Sequence, residues 1–403
     1  MMKAISAVFT CALLAGCAST YSTDGPAPIS NSPVTTVTEG PTLATLTMPP
    51  VARTLEDQNV LFWDDAQRSA RFRRMESWFA GYEVPAAQKV REFPAGSQLA
   101  PALRSRIAAL VLETNAAGVM VIEDGKLRYE GYSLGFDASQ RWTSFSVAKS
   151  FTSTLLGAAI RDGYVTSLDD SVAKYIPEMK GTAYEDVTVK QLATMTSGIR
   201  WNEDYTDRDS DVAQMANITA GPGEDAIVNQ LKVLPREAPA GEKFGETNLL
   251  GVLVERATGS SLAAYAKAKI VDPAGFEAPM FWMIEPSGRN IGGCCLSLRL
   301  ADYARMGQFV LDGGGDVVPD GWFAEATAMQ VKFGDQYPGL GYGYQWWTYP
   351  GGNYGAQGIF GQAITIVPEH DLVVAVVSNW PTATTSDYRG KWQAVIAEIA
   401  AAD

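Results

Sequence analysis

Apolar positions recur along this 403-residue chain with two different periods, and the change from one to the other organises it. Helical spacing over Asp64 to Phe79 predicts a first amphipathic helix, and Leu103 to Thr114 a second. From Gly118 to Glu130 two β-rich runs flank Asp124-Gly125, which reads as a hairpin around a tight turn. Near the other end, Ala363 to Val367 and Leu372 to Ser378 flank Pro368-Glu369-His370-Asp371, a second hairpin, and Tyr388 to Ala401 reads as a closing helix. Strands at both ends therefore bracket a helical middle, roughly 146–280. This order predicts an α+β fold: one antiparallel sheet built from both chain ends, flanked by helices, with a helical insertion.

Composition narrows the picture. A 46% hydrophobic content over this length suffices for a proper core, and the net charge of −13 argues against a nucleic-acid partner and against a basic membrane-surface patch. Residues 1–16 carry one lysine, an apolar run and then small residues, as a signal peptide does. Leu14-Ala15-Gly16-Cys17 resembles a bacterial lipobox, which implies cleavage before Cys17 and a lipid on its thiol. Ala18 rather than Asp after it favours, by analogy, an outer membrane, with the folded part facing the periplasm. Residues 17–50 are rich in Ser, Thr and Pro with almost no charge, and are expected to form a disordered tether; the folded domain is expected over 51–403.

Cysteine arithmetic is then short. Cys11 leaves with the signal peptide, Cys17 is modified, and adjacent Cys294 and Cys295 are not expected to pair, so no disulfide framework is implied. With His370 as the single histidine, a zinc site is not expected either, and no cofactor is called for.

The stretch with most chemistry is Thr143-Ser144-Phe145-Ser146-Val147-Ala148-Lys149-Ser150-Phe151-Thr152. A hydroxyl attacks well only when a neighbouring base takes its proton. Three residues of helical advance put the Lys149 amine on the same face as the Ser146 hydroxyl. A lysine serves as base only when neutral, which burial favours by disfavouring the ammonium, and Phe145, Val147, Ala148 and Phe151 supply apolar walls. The bland reading is an ordinary amphipathic helix start. A Ser-His-Asp triad would need His370, which sits in the second hairpin turn, and the chain contains no GxSxG sequence. Paired carboxylates could serve a glycosidase, but nothing picks out one pair.

Several collinear runs resemble the serine β-lactamase and penicillin-binding-protein superfamily, in its class C, esterase and 6-aminohexanoate-dimer hydrolase branch. They are Ser146 to Gly157 with Asp162-Gly163 and Leu168 to Val172; Val187 to Gly198; Pro239-Ala240-Gly241 with Leu249-Leu250-Gly251 and Glu255 to Gly259; Gly292 to Ser297 with Asp302 to Gly307; and Gln345-Trp346-Trp347 with Gly358 to Gln362. The resemblance implies that Ser146 is acylated, that Lys149 is its base, and that a tyrosine shuttles the proton to the leaving group.

Two departures matter. Where relatives carry Phe-x-Tyr-x-x before Gly-Glu-Thr-Asn-Leu-Leu-Gly, this chain reads Lys243-Phe244-Gly245-Glu246-Thr247-Asn248-Leu249-Leu250-Gly251, about four residues short and without the tyrosine. Tyr205, in a loop that in amide-hydrolysing relatives presents a tyrosine to substrate, is the candidate replacement; alternatively it packs on Trp201. Asn248 is either a remnant of the polar second motif or a helix N-cap. At the third motif Ala356-Gln357-Gly358 replaces Lys-Thr-Gly, and glutamine cannot supply the charge that holds a substrate carboxylate. Gly358 permits close backbone approach, so the amides of Ile359 and Ser146 are expected to form an oxyanion hole. The rest of the wall is expected to be aromatic, from Trp201, Tyr342, Tyr344, Trp346, Trp347 and Phe360, with Gln357, Gly358 and Asn248 completing the substrate contacts.

The sequence thus reads as an envelope-tethered serine hydrolase of a carboxylic ester or small linear amide. An envelope binding protein of the same fold with weak or no turnover is the second reading. A β-lactamase or D-alanyl peptidase is the third.

Overall fold

The computed structural model describes residues 43–245 and 248–402. Cys17 and the expected signal peptide over residues 1–16 lie outside them. Two antiparallel sheets hold the chain. The larger has eight strands in the order β4-β3-β13-β12-β11-β10-β9-β8. Its centre is β3 (Ala116–Glu123), β13 (Leu372–Ser378), β12 (Gln362–Val367) and β11 (Tyr354–Gly358). β4 (Lys126–Tyr132) closes one edge, and β10 (Trp347–Thr348), β9 (Gly341–Tyr342) and β8 (Val331–Lys332) extend the other. Both hairpins expected from sequence form: Asp124 and Gly125 take positive φ between β3 and β4, and Asp371 does so before β13. Val374 faces Val121 across the seam that joins the two chain ends.

β3 and β13 are buried along their whole length and apolar except at their last residues, Glu123 and Ser378, because each face of the sheet is covered. Alternate side chains enter different cores. Val119, Val121, Val374 and Val376 pack under the helices Pro101–Glu113 and Ser386–Ala400, with Ile107, Leu110, Trp392 and Ile396. Ala117, Met120, Ile122, Val373 and Ala375 face the larger core, which contains the helices Ala148–Arg161, Leu249–Thr258 and Leu300–Leu311.

The second sheet was not legible as such. Its order is β1-β2-β6-β7-β5, and its strands are short and scattered: β1 (Thr45–Thr47), β2 (Gly81–Val84), β5 (Trp142–Thr143), β6 (Met280–Met283) and β7 (Leu296–Leu298). Strands of two to four residues carry too little alternation to stand out. β1 also corrects the expected tether boundary, since Thr45–Thr47 pairs with Gly81–Glu83.

The helix expected over 64–79 is shorter, Asp65–Arg71. A capping box between Asp64 and Gln67 starts it. It ends because the Phe72 carbonyl is taken by the Thr143 N–H at 2.9 Å, tying this segment to β5. The chain therefore reaches Ser146 from the edge of the small sheet, and the helix beyond it enters the larger core.

Candidate active site

Ser144 fixes the turn that presents Ser146. Its N–H donates to the Leu296 carbonyl at 2.7 Å, its hydroxyl accepts from the Leu296 N–H at 2.9 Å, and the same hydroxyl donates to the Phe145 carbonyl at 2.9 Å. Phe145 then turns the backbone with φ 43°. Three hydroxyls anchor the helix behind it. Ser150 donates to the Gln345 carbonyl at 2.6 Å, Thr152 to Gly292 at 2.7 Å and Ser153 to Tyr344 at 2.5 Å. From Trp142 to Ala159 every residue is buried except Ser146 and Lys149. The packing leaves these two side chains partly exposed on the cleft, which the buried Phe145 also lines.

β11 ends beside them. A methyl group on Gly358 would lie 2.4 Å from the Ser144 carbonyl oxygen and 3.1 Å from the Ser146 nitrogen, so only glycine lets strand and turn meet this closely. Ser146 and Ile359 both sit in the first turn of short 3-10 helices, where backbone N–H groups have no intrahelical acceptor. Phe360 follows with φ 57°.

The cleft has two lobes that share Ser146, Lys149, Glu203, Tyr205 and Ile359. One, of about 150 Å³, is mainly apolar, with Leu61, Phe79, Trp201, Met215, Met283 and Asn248 on its walls. The other, of about 110 Å³, is bounded by Met195, Phe244, Trp347, Gln357, Thr384 and Arg389.

Tyr205 faces both lobes, and its hydroxyl donates to Glu203 Oε1 at 2.7 Å. Burial, and then the charge and hydrogen bond of Glu203, hold the phenol proton far more tightly than in free tyrosine. Lys149 Nζ lies 4.0 Å from the sulfur of Met195, on the loop whose Met195 carbonyl accepts from the Gly245 N–H at 2.7 Å. Asn248 stands at the N-cap position of the helix Leu249–Thr258, without a side-chain bond to a backbone N–H there. Its amide nitrogen lies 3.4 Å from Met215 Sδ. A side chain at Gly293 would meet Asn248 Oδ1 at 2.4 Å and Lys149 Cε at 3.6 Å, so glycine lets this amide and the lysine approach one another.

Of the aromatic residues expected on the wall, Trp201, Tyr342 and Trp347 face the cleft. Phe360, Tyr344 and Trp346 do not. Phe360 packs behind the wall on Phe72 and Phe145, Tyr344 on Trp322, and Trp346 on Phe323 and Tyr354. The alternation around β11 left both orientations open, and the core took these three. Cys294 and Cys295 also differ from expectation: their sulfurs are joined as a vicinal pair lining the apolar lobe. The left-handed backbone of Cys295, φ 85°, brings the two adjacent side chains together. Glu203, Thr384 and Arg389 were missed, because nothing local marks a charged loop or helix residue as facing a cleft formed by distant strands.

A partly exposed Ser-Lys pair at the start of a buried helix, with a glycine-ended strand beside it, defines a serine hydrolase of the β-lactamase type. The Beta-lactamase family matches residues 103–398, and the chain belongs to that family. It is 29% identical over 316 residues to a 6-aminohexanoate-dimer hydrolase of Paenarthrobacter ureafaciens, covering 72% of this chain and 79% of that one. A β-lactamase of Pseudomonas fluorescens is 32% identical over 103 residues, 23% of this chain and 28% of that one. Among solved structures, a candidate 6-aminohexanoate-dimer hydrolase from Bacillus anthracis superposes with a TM-score of 0.74 at 21% identity, over 88% of this chain and 98% of that one. A class C β-lactamase from Rhodobacter sphaeroides gives 0.55 at 18% identity, over 74% and 99%.

Proposed function

We propose that the protein forms an acyl-enzyme on Ser146 and cleaves a carboxylic ester or a small linear amide. The observation that carries this reading is the selective exposure of Ser146 and Lys149 in an otherwise buried segment, both on one cleft. Lys149 takes the Ser146 hydroxyl proton as Oγ adds to the carbonyl. The N–H groups of Ser146 and Ile359 receive the oxyanion, at positions that need no rearrangement during the reaction. Collapse expels the alcohol or amine, which takes up a proton, and water then releases the acid by the reverse sequence.

Tyr205 is assigned to proton transfer at the leaving group, in place of the tyrosine that the segment before Asn248 lacks. It faces Ser146 and Lys149 across both lobes, and Glu203 orients its hydroxyl. The apolar lobe suits an acyl or alkyl chain, and a relative named for 6-aminohexanoate dimers supports linear amides beside esters.

The second reading keeps the cleft and removes the turnover: an envelope binding protein. The missing tyrosine is what favours it. Intact-mass analysis of the folded domain after exposure to a fluorophosphonate, with Ser146→Ala alongside, separates the two. One adduct on the parent and none on the variant supports the hydrolase; an unlabelled, folded parent supports the binding protein. Attachment through a lipid on Cys17 to an envelope membrane is proposed with it, and a Cys17→Ser variant would then leave the membrane fraction.

A further inference from the structure

Cys294 and Cys295 stand on the wall of the apolar lobe with their sulfurs joined. A cross-link between neighbours in sequence closes almost no loop, so it removes little freedom from the unfolded chain and does little to hold the fold together. It does fix the backbone where it stands. Cys295 is held at φ 85°, a conformation that a residue with a side chain keeps only where its surroundings impose it. β6 holds both residues by their carbonyls: the Met283 N–H donates to Cys295 at 3.2 Å, and the Trp282 indole N–H to Cys294 at 3.1 Å.

The residues on either side of the pair reach the two reacting groups. Gly293, just before it, packs against the base, since a methyl there would meet Lys149 Cε at 3.6 Å and Asn248 Oδ1 at 2.4 Å. Leu296, just after it, exchanges two hydrogen bonds with Ser144. Its N–H donates to the Ser144 hydroxyl at 2.9 Å and its carbonyl accepts from the Ser144 N–H at 2.7 Å, the bonds that fix the turn presenting Ser146. A change in the backbone of the pair is therefore passed to Lys149 on one side and to Ser146 on the other.

Cys294 is half-buried and Cys295 buried, so a thiol that enters the cleft meets the Cys294 sulfur first. The thiolate of a dithiol reductant attacks Cys294 Sγ, the bond between the two cysteines breaks, and Cys295 leaves as a thiolate that takes up a proton. The second thiol of the reductant then closes on its partner sulfur and frees Cys294 as a thiol. The electron pair comes from the reductant, which ends as a disulfide, and a small-molecule disulfide reverses the exchange.

We propose that Cys294 and Cys295 are a second reactive site in the cleft, a reversible dithiol-disulfide pair whose state sets the reactivity of Ser146. The effect on acylation rests on Ser146 being the nucleophile. The closed pair is the competent form, because it keeps Gly293 against Lys149 and Leu296 against Ser144. Once it opens, Cys295 is free to leave positive φ and both contacts loosen.

The test uses the full chain treated with dithiothreitol or with oxidised glutathione and then desalted, with alkylation mapped to the peptide that carries Cys294 and Cys295. Both cysteines should be alkylated after the first treatment and found joined to each other after the second. The rate of fluorophosphonate labelling at Ser146 should fall by about tenfold on reduction, within the usual range of coupling between sites, and recover on reoxidation. The double variant Cys294→Ser/Cys295→Ser should label at the reduced rate after either treatment; a variant that still responds to dithiothreitol would place the effect elsewhere and overturn the proposal. An equal or higher rate in the reduced parent, or a pair that does not open and close in the folded protein, also overturns it. If the double variant fails to fold, the two states of the parent decide alone. If Ser146 is labelled in neither state, the acylation reading fails and hydrogen exchange tests the pair by itself. Faster exchange on reduction in the peptides containing Ser144 and Leu296 supports it, and unchanged exchange there overturns it.

Discussion

Phe145 and Phe360 each hold a left-handed backbone, one before Ser146 and the other after Ile359, and their rings meet 5.4 Å apart. Phe72 closes the cluster at 5.0 and 5.6 Å. A non-glycine residue held at positive φ costs roughly 1–3 kcal/mol, and such a conformation persists when packing over-determines it. The aromatic cluster supplies that packing. Ser146 and Ile359 are thus positioned by the side chains of their neighbours, buried behind the cleft.

Replacing Phe360 separates ring from backbone. Phe360→Ala should destabilise the domain by about 3–5 kcal/mol, as large-to-small changes of a buried aromatic do. Phe360→Gly leaves the same space but relieves the left-handed backbone, so it should be more stable than the alanine variant by about 1 kcal/mol. Urea denaturation of both measures the difference. An alanine variant at least as stable as the glycine variant would mean that φ at 360 carries no strain.

At Gly358 even a methyl group has nowhere to go, because the atom it meets is the backbone oxygen of Ser144. Gly358→Ala should push β11 off the turn and displace the Ile359 N–H. Loss of one oxyanion donor lowers kcat by about 10²–10³ in other acyl-transfer enzymes, and a similar fall is expected here. Steady-state rates set beside the denaturation midpoint distinguish this from unfolding.

Tyr205→Phe removes the hydroxyl and keeps the ring. If Tyr205 moves the leaving-group proton, turnover should fall by about 10²–10⁴, the range of general acid-base contributions. Glu203→Gln, which keeps an acceptor for the hydroxyl, should have a smaller effect. Rates within twofold of the parent for Tyr205→Phe would reduce this residue to packing beside Trp201.

Stability should depend on pH through Glu255, a buried residue of the helix Leu249–Thr258. Burial pushes its carboxyl up to about 7, against the pull of Arg289 and of the Leu262 and Asn290 N–H groups. The folded state then binds more protons than the unfolded state between the ordinary glutamate value, about 4.3, and about 7. Stability therefore falls as pH rises through that window. The melting temperature should rise when the pH is lowered from 7.5 to 5.5, and Glu255→Gln should flatten that slope. An identical slope in the variant would assign it to another group.

The pattern of apolar positions determined the half of the large sheet formed by β4, β3, β13 and β12, because β3 and β13 are long, continuous and flanked by turn residues such as Asp124-Gly125. It also determined the helix that begins after Ser146, whose hydroxyls proved to be anchors at Ser150, Thr152 and Ser153. Local chemistry was enough to place Ser146 and Lys149 on one cleft, since one turn of helix relates them. The tertiary structure alone decided the small sheet, whose two-to-four-residue strands come from four separate parts of the chain. It also decided that Phe360, Tyr344 and Trp346 turn inward while Trp201, Tyr342 and Trp347 face the cleft. Arg389 belongs with these: it reaches β11 by the docking of the closing helix on the sheet. Periodicity reports which face of an element is apolar. Which groups from separate elements share one cavity depends on how those faces dock, and that information is spread over the whole chain.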